Sequence, residues 1–182
     1  MTRSAACEEI LLSTGKIDEA YVRYGVRANQ RGAYAATFRA ISKKYPHKPA
    51  AQILADLVNA TPGDEGKWFA AAKDAGLYDE ALALASRTPC DPRTLSRAAR
   101  DYTEKRPAFA LSAGLIALHW LTQGYGYEIT SADVRDAYRA TLAVAERLGC
   151  VVEVKARVRK IVETEVAGKR FVTKELGPEL GL

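Results

Sequence analysis

One phrase occurs twice in this chain, as Gly15-Lys16-Ile17-Asp18-Glu19-Ala20 and as Gly76-Leu77-Tyr78-Asp79-Glu80-Ala81. Each copy follows a run of helix formers and precedes another. Glycine just past a helix takes the left-handed conformation that closes the last turn without a Cβ clash. Two residues on, Ile17 or Tyr78 is placed to pack inside a hairpin. The acidic pair that follows sits where the unpaired amides and the dipole of a new helix favour negative charge. Ala20 and Ala81 then suit a close approach of two helices. The phrase reads as helix, glycine turn, helix, and its carboxylates as helix starters rather than a catalytic pair.

The second copy, followed by Leu82, Leu84, Pro89 and Asp91-Pro92, resembles the Gly-x-Tyr-x-Glu-Ala core and proline-terminated second helix of a tetratricopeptide repeat. The first copy is similar, with Ile17 in place of tyrosine. The copies lie 61 residues apart, where the family's period is about 34, and Trp68 stands three residues from the family's usual tryptophan position. The resemblance implies an all-α fold, an irregular antiparallel helical-hairpin array of about nine to ten helices, that is, a tetratricopeptide-like α-solenoid. It implies no particular peptide-binding residue.

Punctuation along the chain agrees. The first helix is expected over residues 4–13 and the second over 17–29, with Ala20, Tyr21, Tyr24 and Ala28 at helical spacing. A third runs over 32–44 and is stopped by Tyr45-Pro46. A fourth covers 50–59, a fifth starts at Asp64 or Glu65 and ends at Gly76, and a sixth covers 78–86. Asp91 caps the next, over 92–105. The segment 108–122 is apolar on almost every face, which makes it central. Thr130 or Ser131 caps a helix over 132–148, and 151–167 forms the last long one. These make one domain over 1–167, and the polar, glycine-containing stretch 168–182 reads as a loosely attached tail.

The first helix has no preceding partner, and Ala5, Ala6, Ile10, Leu11 and Leu12 give it a moderately apolar stripe. A small capped array and the C-terminal piece of a longer helical protein both fit, and the second is favoured.

No stretch approaches the roughly 20 apolar residues of a membrane span, and residues 1–12 carry Glu8 and Glu9 instead of a signal-like apolar run. A cytoplasmic protein with no membrane contact is expected. Cys7, Cys90 and Cys150 are distant from one another, and His47 and His119 stand alone, so no metal-ligand spacing is present. No nucleophile with its base and no phosphate-cradling loop stands out. The expectation is therefore no enzyme, no cofactor and no catalytic or metal site.

Charge gives the functional hint. Between residues 16 and 48 the bases Lys16, Arg23, Arg27, Arg31, Arg39, Lys43, Lys44 and Lys48 face only Asp18 and Glu19. If the second helix persists to Arg31, then Arg23, Arg27 and Arg31 share a face, and with Arg39, Lys43 and Lys44 they form a candidate partner-binding surface. Such a stripe suits an acidic protein segment or a nucleic-acid backbone. Arg93, Arg97 and Arg100 read as ordinary salt-bridged surface. In the loop Gly124-Tyr125-Gly126-Tyr127, the two tyrosines are a candidate recognition lip, with folding back onto neighbouring helices as the plainer alternative. The leading expectation is a helical scaffold that binds another protein or peptide, an acidic one included. Nucleic-acid binding through the basic face is second.

Overall fold

The computed structural model describes residues 2–166 and 170–182, and every regular element among them is helical. The helices are α1 (Arg3–Ser13), α2 (Ile17–Ala20), α3 (Val26–Ala28), α4 (Tyr34–Lys44), α5 (Ala50–Asn59), α6 (Phe69–Asp74) and α7 (Tyr78–Arg87). They continue as α8 (Pro92–Tyr102), α9 (Pro107–Thr122), α10 (Ser131–Leu148), α11 (Val151–Glu163) and α12 (Phe171–Leu180). A π-helical turn, Tyr21–Gly25, joins α2 to α3, and a 3-10 turn, Glu65–Trp68, leads into α6. The all-α expectation holds.

The doubled phrase does the same work in both places. Gly15 and Gly76 have φ of 78° and 79°. At the first, Gly15 N donates to Leu12 O at 3.1 Å and Lys16 N to Leu11 O at 2.9 Å; at the second, Gly76 N donates to Lys73 O at 3.0 Å and Leu77 N to Ala72 O at 2.9 Å. Both are Schellman closures, in which two otherwise orphaned carbonyls are satisfied around a left-handed residue. A side chain at either position would carry the strain of positive φ in place of glycine's freedom.

The chain divides into two compact units, Met1–Leu84 and Ala85–Leu182. In the N-terminal unit the core is Phe38, Ile41, Ile53, Leu57, Trp68 and Phe69, all buried. Each such side chain contributes about 1.5–3 kcal/mol by leaving water. Trp68 lies edge-on to Tyr34 at 4.7 Å between ring centroids, and its indole N–H donates to Thr61 Oγ1 at 2.8 Å. Helix α1 differs from this core: Glu8 is its one buried residue.

In the C-terminal unit α9 is the centre. It packs against α8, α10, α11 and α12, and Phe109, Ala110, Ala113, Leu115, Ala117 and Leu118 are buried. Helix α8 opens on Asp91, whose carboxylate accepts from Arg93 N and Thr94 N, with Pro92 in the first turn. Helix α10 opens on a capping box between Thr130 and Asp133; each device satisfies amides that a helix start leaves bare.

The expected tail is corrected in part. Residues 167–169, where the domain was expected to end and the tail to begin, lie outside the described residues. Beyond them α12 forms and buries Val172, Leu176 and Leu180. Its first turn is capped from a distance: Glu165 accepts from Val172 N at 2.7 Å, Thr173 N at 2.8 Å and Thr173 Oγ1 at 2.6 Å. The apolar residues at four-residue spacing were visible in sequence; the cap, seven residues upstream, was not.

Candidate functional site

The basic set of residues 16–48 does not form one stripe. The helix that starts at Ile17 ends at Ala28, and Arg31 lies beyond it. Arg23 lies on the π turn Tyr21–Gly25 and Arg27 on α3, so the helix that was to carry all three on one face stops short of Arg31. Several bases are already engaged: Lys16 and Arg23 with Glu19, Lys48 with Asp18 at 2.7 Å, and Lys44 with Glu8 at 2.5 Å. Arg39 Nε donates to Ala35 O of its own helix. Arg27, Arg31, Arg39 and Lys43 remain exposed. The local excess is also offset within its own unit, where residues 1–84 carry 11 Lys and Arg against 10 Asp and Glu.

Lys44 belongs instead to a buried polar cluster. Glu8 is 0% exposed. Its Oε1 accepts from Tyr45 OH at 2.5 Å and from Asn29 Nδ2 at 2.6 Å, and its Oε2 accepts from Lys44 Nζ at 2.5 Å. Asn29 Nδ2 also donates to Gly25 O at 2.8 Å, and Lys44 Nζ to Asn29 Oδ1 at 3.1 Å. Burial, then the hydrogen bond to Glu8, pushes the Tyr45 phenol well above the ordinary tyrosine range. Tyr21, edge-on to Tyr45 at 5.1 Å, donates to Asp56 Oδ2 at 2.6 Å, and Lys48 lies over its ring. The cluster ties α1 to the ends of α3 and α4. Every charge in it is partnered, the condition for a buried polar network to support a fold. Sequence reasoning passes over Glu8 because its partners stand 21, 36 and 37 residues away.

The tyrosine loop is more ordered than its glycines imply. Tyr125 lies edge-on to Trp120, 5.2 Å between centroids and 90° between planes, yet stays 45% exposed. Tyr127 is 78% exposed. One ring therefore folds back and the other stands out. Trp120 is fixed in turn by its indole N–H, which donates to Ala85 O at 2.7 Å. Gly126, at φ 117°, is packed so closely that a Cβ there would come within 2.5 Å of the Ile129 side chain. Glu128 adopts φ 47°, which costs a non-glycine residue about 1–2 kcal/mol.

Arg93, read in sequence as ordinary salt-bridged surface, pairs with Asp133 and also meets this loop. Its Nη1 donates to Tyr127 O at 3.1 Å and its Nη2 to Glu128 O at 2.9 Å. The same guanidinium grips Asp133 in two places, Nε to Oδ1 at 2.7 Å and Nη2 to Oδ2 at 2.9 Å. The Arg93 hydrogen bonds hold the Asp133 carboxyl well below the usual carboxylate range. A carboxyl so lowered stays ionised from neutrality down through the ordinary carboxylate range, and its contribution, full above that range, is lost progressively as pH falls from there through the lowered value. Beside the loop lies a groove of about 300 Å³ lined by Leu121, Tyr125, Gly126, Ile129, Glu165 and Phe171. It has an apolar floor, and Glu165 is already committed to the start of α12.

Among the described residues, no group of three or more His, Cys, Asp or Glu is placed to hold a metal ion. None of their helices is long and apolar enough to cross a membrane. All three cysteines are free. Burial, followed by the charge of Asp91, pushes the Cys90 thiol up to about 12, so little thiolate forms at neutral pH. Iodoacetamide on the native protein at pH 8 is expected to leave Cys90 unmodified, as read by peptide mass spectrometry; alkylation there as fast as in the urea-unfolded chain would contradict its burial. His47 pairs with exposed Asp18 at 3.3 Å, and His119 lies against Trp120.

No family model matches the chain, and comparisons with curated proteins and with solved structures find no match either.

Proposed function

We propose that the chain is a cytoplasmic, non-catalytic interaction module, an irregular α-solenoid of tetratricopeptide-like hairpins, that binds an acidic segment of a partner protein at the tyrosine loop. The observation that carries this reading is Tyr127, 78% exposed on a backbone pinned at two carbonyls by Arg93. A large ring offered on a prepared loop loses little freedom on binding, and tyrosine is enriched among the residues that dominate interfaces. The adjoining groove accepts one apolar or aromatic side chain of the partner. Acidic flanks fit because residues 85–182 carry 16 Lys and Arg against 12 Asp and Glu. Free thiols accord with a reducing compartment. No cofactor or membrane enters this reading.

Nucleic-acid binding is the second reading, resting on exposed Arg27, Arg31, Arg39 and Lys43. The near-neutral charge of residues 1–84 and the pairing of Lys16, Arg23, Lys44 and Lys48 favour the protein segment over a polyanion.

Selection of random displayed peptides on the whole chain tests the proposal. Peptides that combine acidic residues with an aromatic or large aliphatic anchor are expected, with affinity at least about 10-fold weaker for Tyr127→Ala and unchanged for Arg27→Glu with Arg31→Glu. Selected peptides that bind Tyr127→Ala as tightly as the wild type refute the site. Anisotropy with generic DNA and RNA decides the second reading: steeply salt-dependent binding, abolished by Arg27→Glu with Arg31→Glu, transfers the function to the N-terminal unit.

A further inference from the structure

Arg93 shares one face of α8 with Arg97 and Arg100, and spacing alone does not distinguish the three. Its partners do. One planar group reaches two carboxylate oxygens of Asp133 and the carbonyls of Tyr127 and Glu128, all within 3.1 Å. Asp133 is anchored as well, accepting from Thr130 N and Thr130 Oγ1 at 2.8 Å each. The guanidinium thus joins α8, the loop backbone and the first turn of α10.

We propose that Arg93 is the positioning residue of the tyrosine loop, and that the forked shape of its guanidinium, more than its charge, fixes the backbone that exposes Tyr127. Positive φ at Gly124, Gly126 and Glu128 makes this stretch improbable for a free chain. The geometry persists because the surroundings hold it. Tyr125 on Trp120 holds one end, and Arg93 holds the other at two successive carbonyls. A lysine carries the same charge on a single nitrogen with three donors, and it cannot serve four acceptors spread over a carboxylate and two peptide groups. An exposed ion pair adds little to folding, so the effect of Arg93 is local to the loop. That Tyr127 meets a partner rests on the function proposed above; the hold on the loop does not.

Amide hydrogen exchange on the full chain tests it, with the wild type, Arg93→Lys and Arg93→Gln. Exchange at the Tyr125 and Thr130 amides, which donate to Trp120 O and Asp133 Oδ2, is expected to rise at least about 10-fold in both variants while α9 and the rest of α10 keep their rates. Three results overturn the proposal: unchanged exchange at these two amides, Arg93→Lys behaving as the wild type, or an equal rise across α9 and α10, which marks a general loss of stability. Should Arg93→Gln not fold, Arg93→Lys decides alone. The selected peptides read the consequence separately, with binding to Arg93→Lys expected to weaken about 10-fold. Faster exchange combined with peptides indifferent to Tyr127→Ala supports the hold while refuting the function reading.

Discussion

Lys44→Met is expected to destabilise the N-terminal unit by about 3–5 kcal/mol, the loss that follows when one partner of a buried ion pair is removed. Lys44 is itself 38% exposed, and an exposed pair is worth about 0–1 kcal/mol. The difference lies in Glu8, which is 0% exposed and loses its cation. Asn29 and Tyr45 remain as donors but carry no charge to offset it. Glu8→Gln leaves hydrogen-bonding capacity at the same place and is expected to cost less, about 1–3 kcal/mol. In the double variant Glu8→Gln/Lys44→Met the two losses fall short of their sum by at least about 1 kcal/mol, because no unpaired charge is then buried. Urea unfolding of the full chain reads these differences as shifts in midpoint at constant slope. A loss below about 1 kcal/mol for Lys44→Met would reduce the cluster to a surface pair.

The same cluster shows which part of this fold the sequence exposes. Stop and start signals are local, and they were legible: Gly15 and Gly76 close helices at matching φ, and Asp91-Pro92 and Thr130 open α8 and α10. The apolar run 108–122 is the central helix it promised to be, because a segment with no polar face has nowhere else to go. Illegible features depend on partners distant in sequence. Glu8 stands in a half-apolar stripe and reads as solvent-facing until Lys44 and Tyr45 come to it. Helix α12 starts on the carboxylate of Glu165, and Gly177-Pro178 near its end resembles a breaker. Arg23, Arg27 and Arg31 show the reverse case: even spacing gives a shared face only if the helix persists to Arg31, and it ends at Ala28. Charge counted over a window likewise says little about a folded unit, whose acids arrive from other helices. The tyrosine pair lies on a loop as expected, but its order comes from Trp120 against Tyr125 and from Arg93, 34 and 35 residues upstream of the carbonyls it holds.

Gly114→Val is expected to cost the C-terminal unit about 3 kcal/mol or more by overpacking. Gly114 faces Thr141 where α9 meets α10. A Cβ added there would overlap Thr141 Oγ1 and lie 3.2 Å from its Cβ and 3.4 Å from its Cα. Thr141 is fully buried, and its hydroxyl donates to Ala137 O at 2.7 Å, so rotating it away sacrifices that bond. The backbone contact sets the limit, since relief beyond the hydroxyl requires the helices to separate. The sign for Gly114→Ala is the sharper test. Helix propensity alone favours alanine over glycine by about 0.5–1 kcal/mol, yet the clash should outweigh it and leave Gly114→Ala destabilising. In a Thr141→Ala background the hydroxyl is gone, and the same change should become neutral or favourable. A coupling energy of at least about 1 kcal/mol in that thermal-unfolding cycle is the expected reading. If Gly114→Ala stabilises the otherwise unaltered chain, α9 and α10 do not approach as closely at this position as the structure places them.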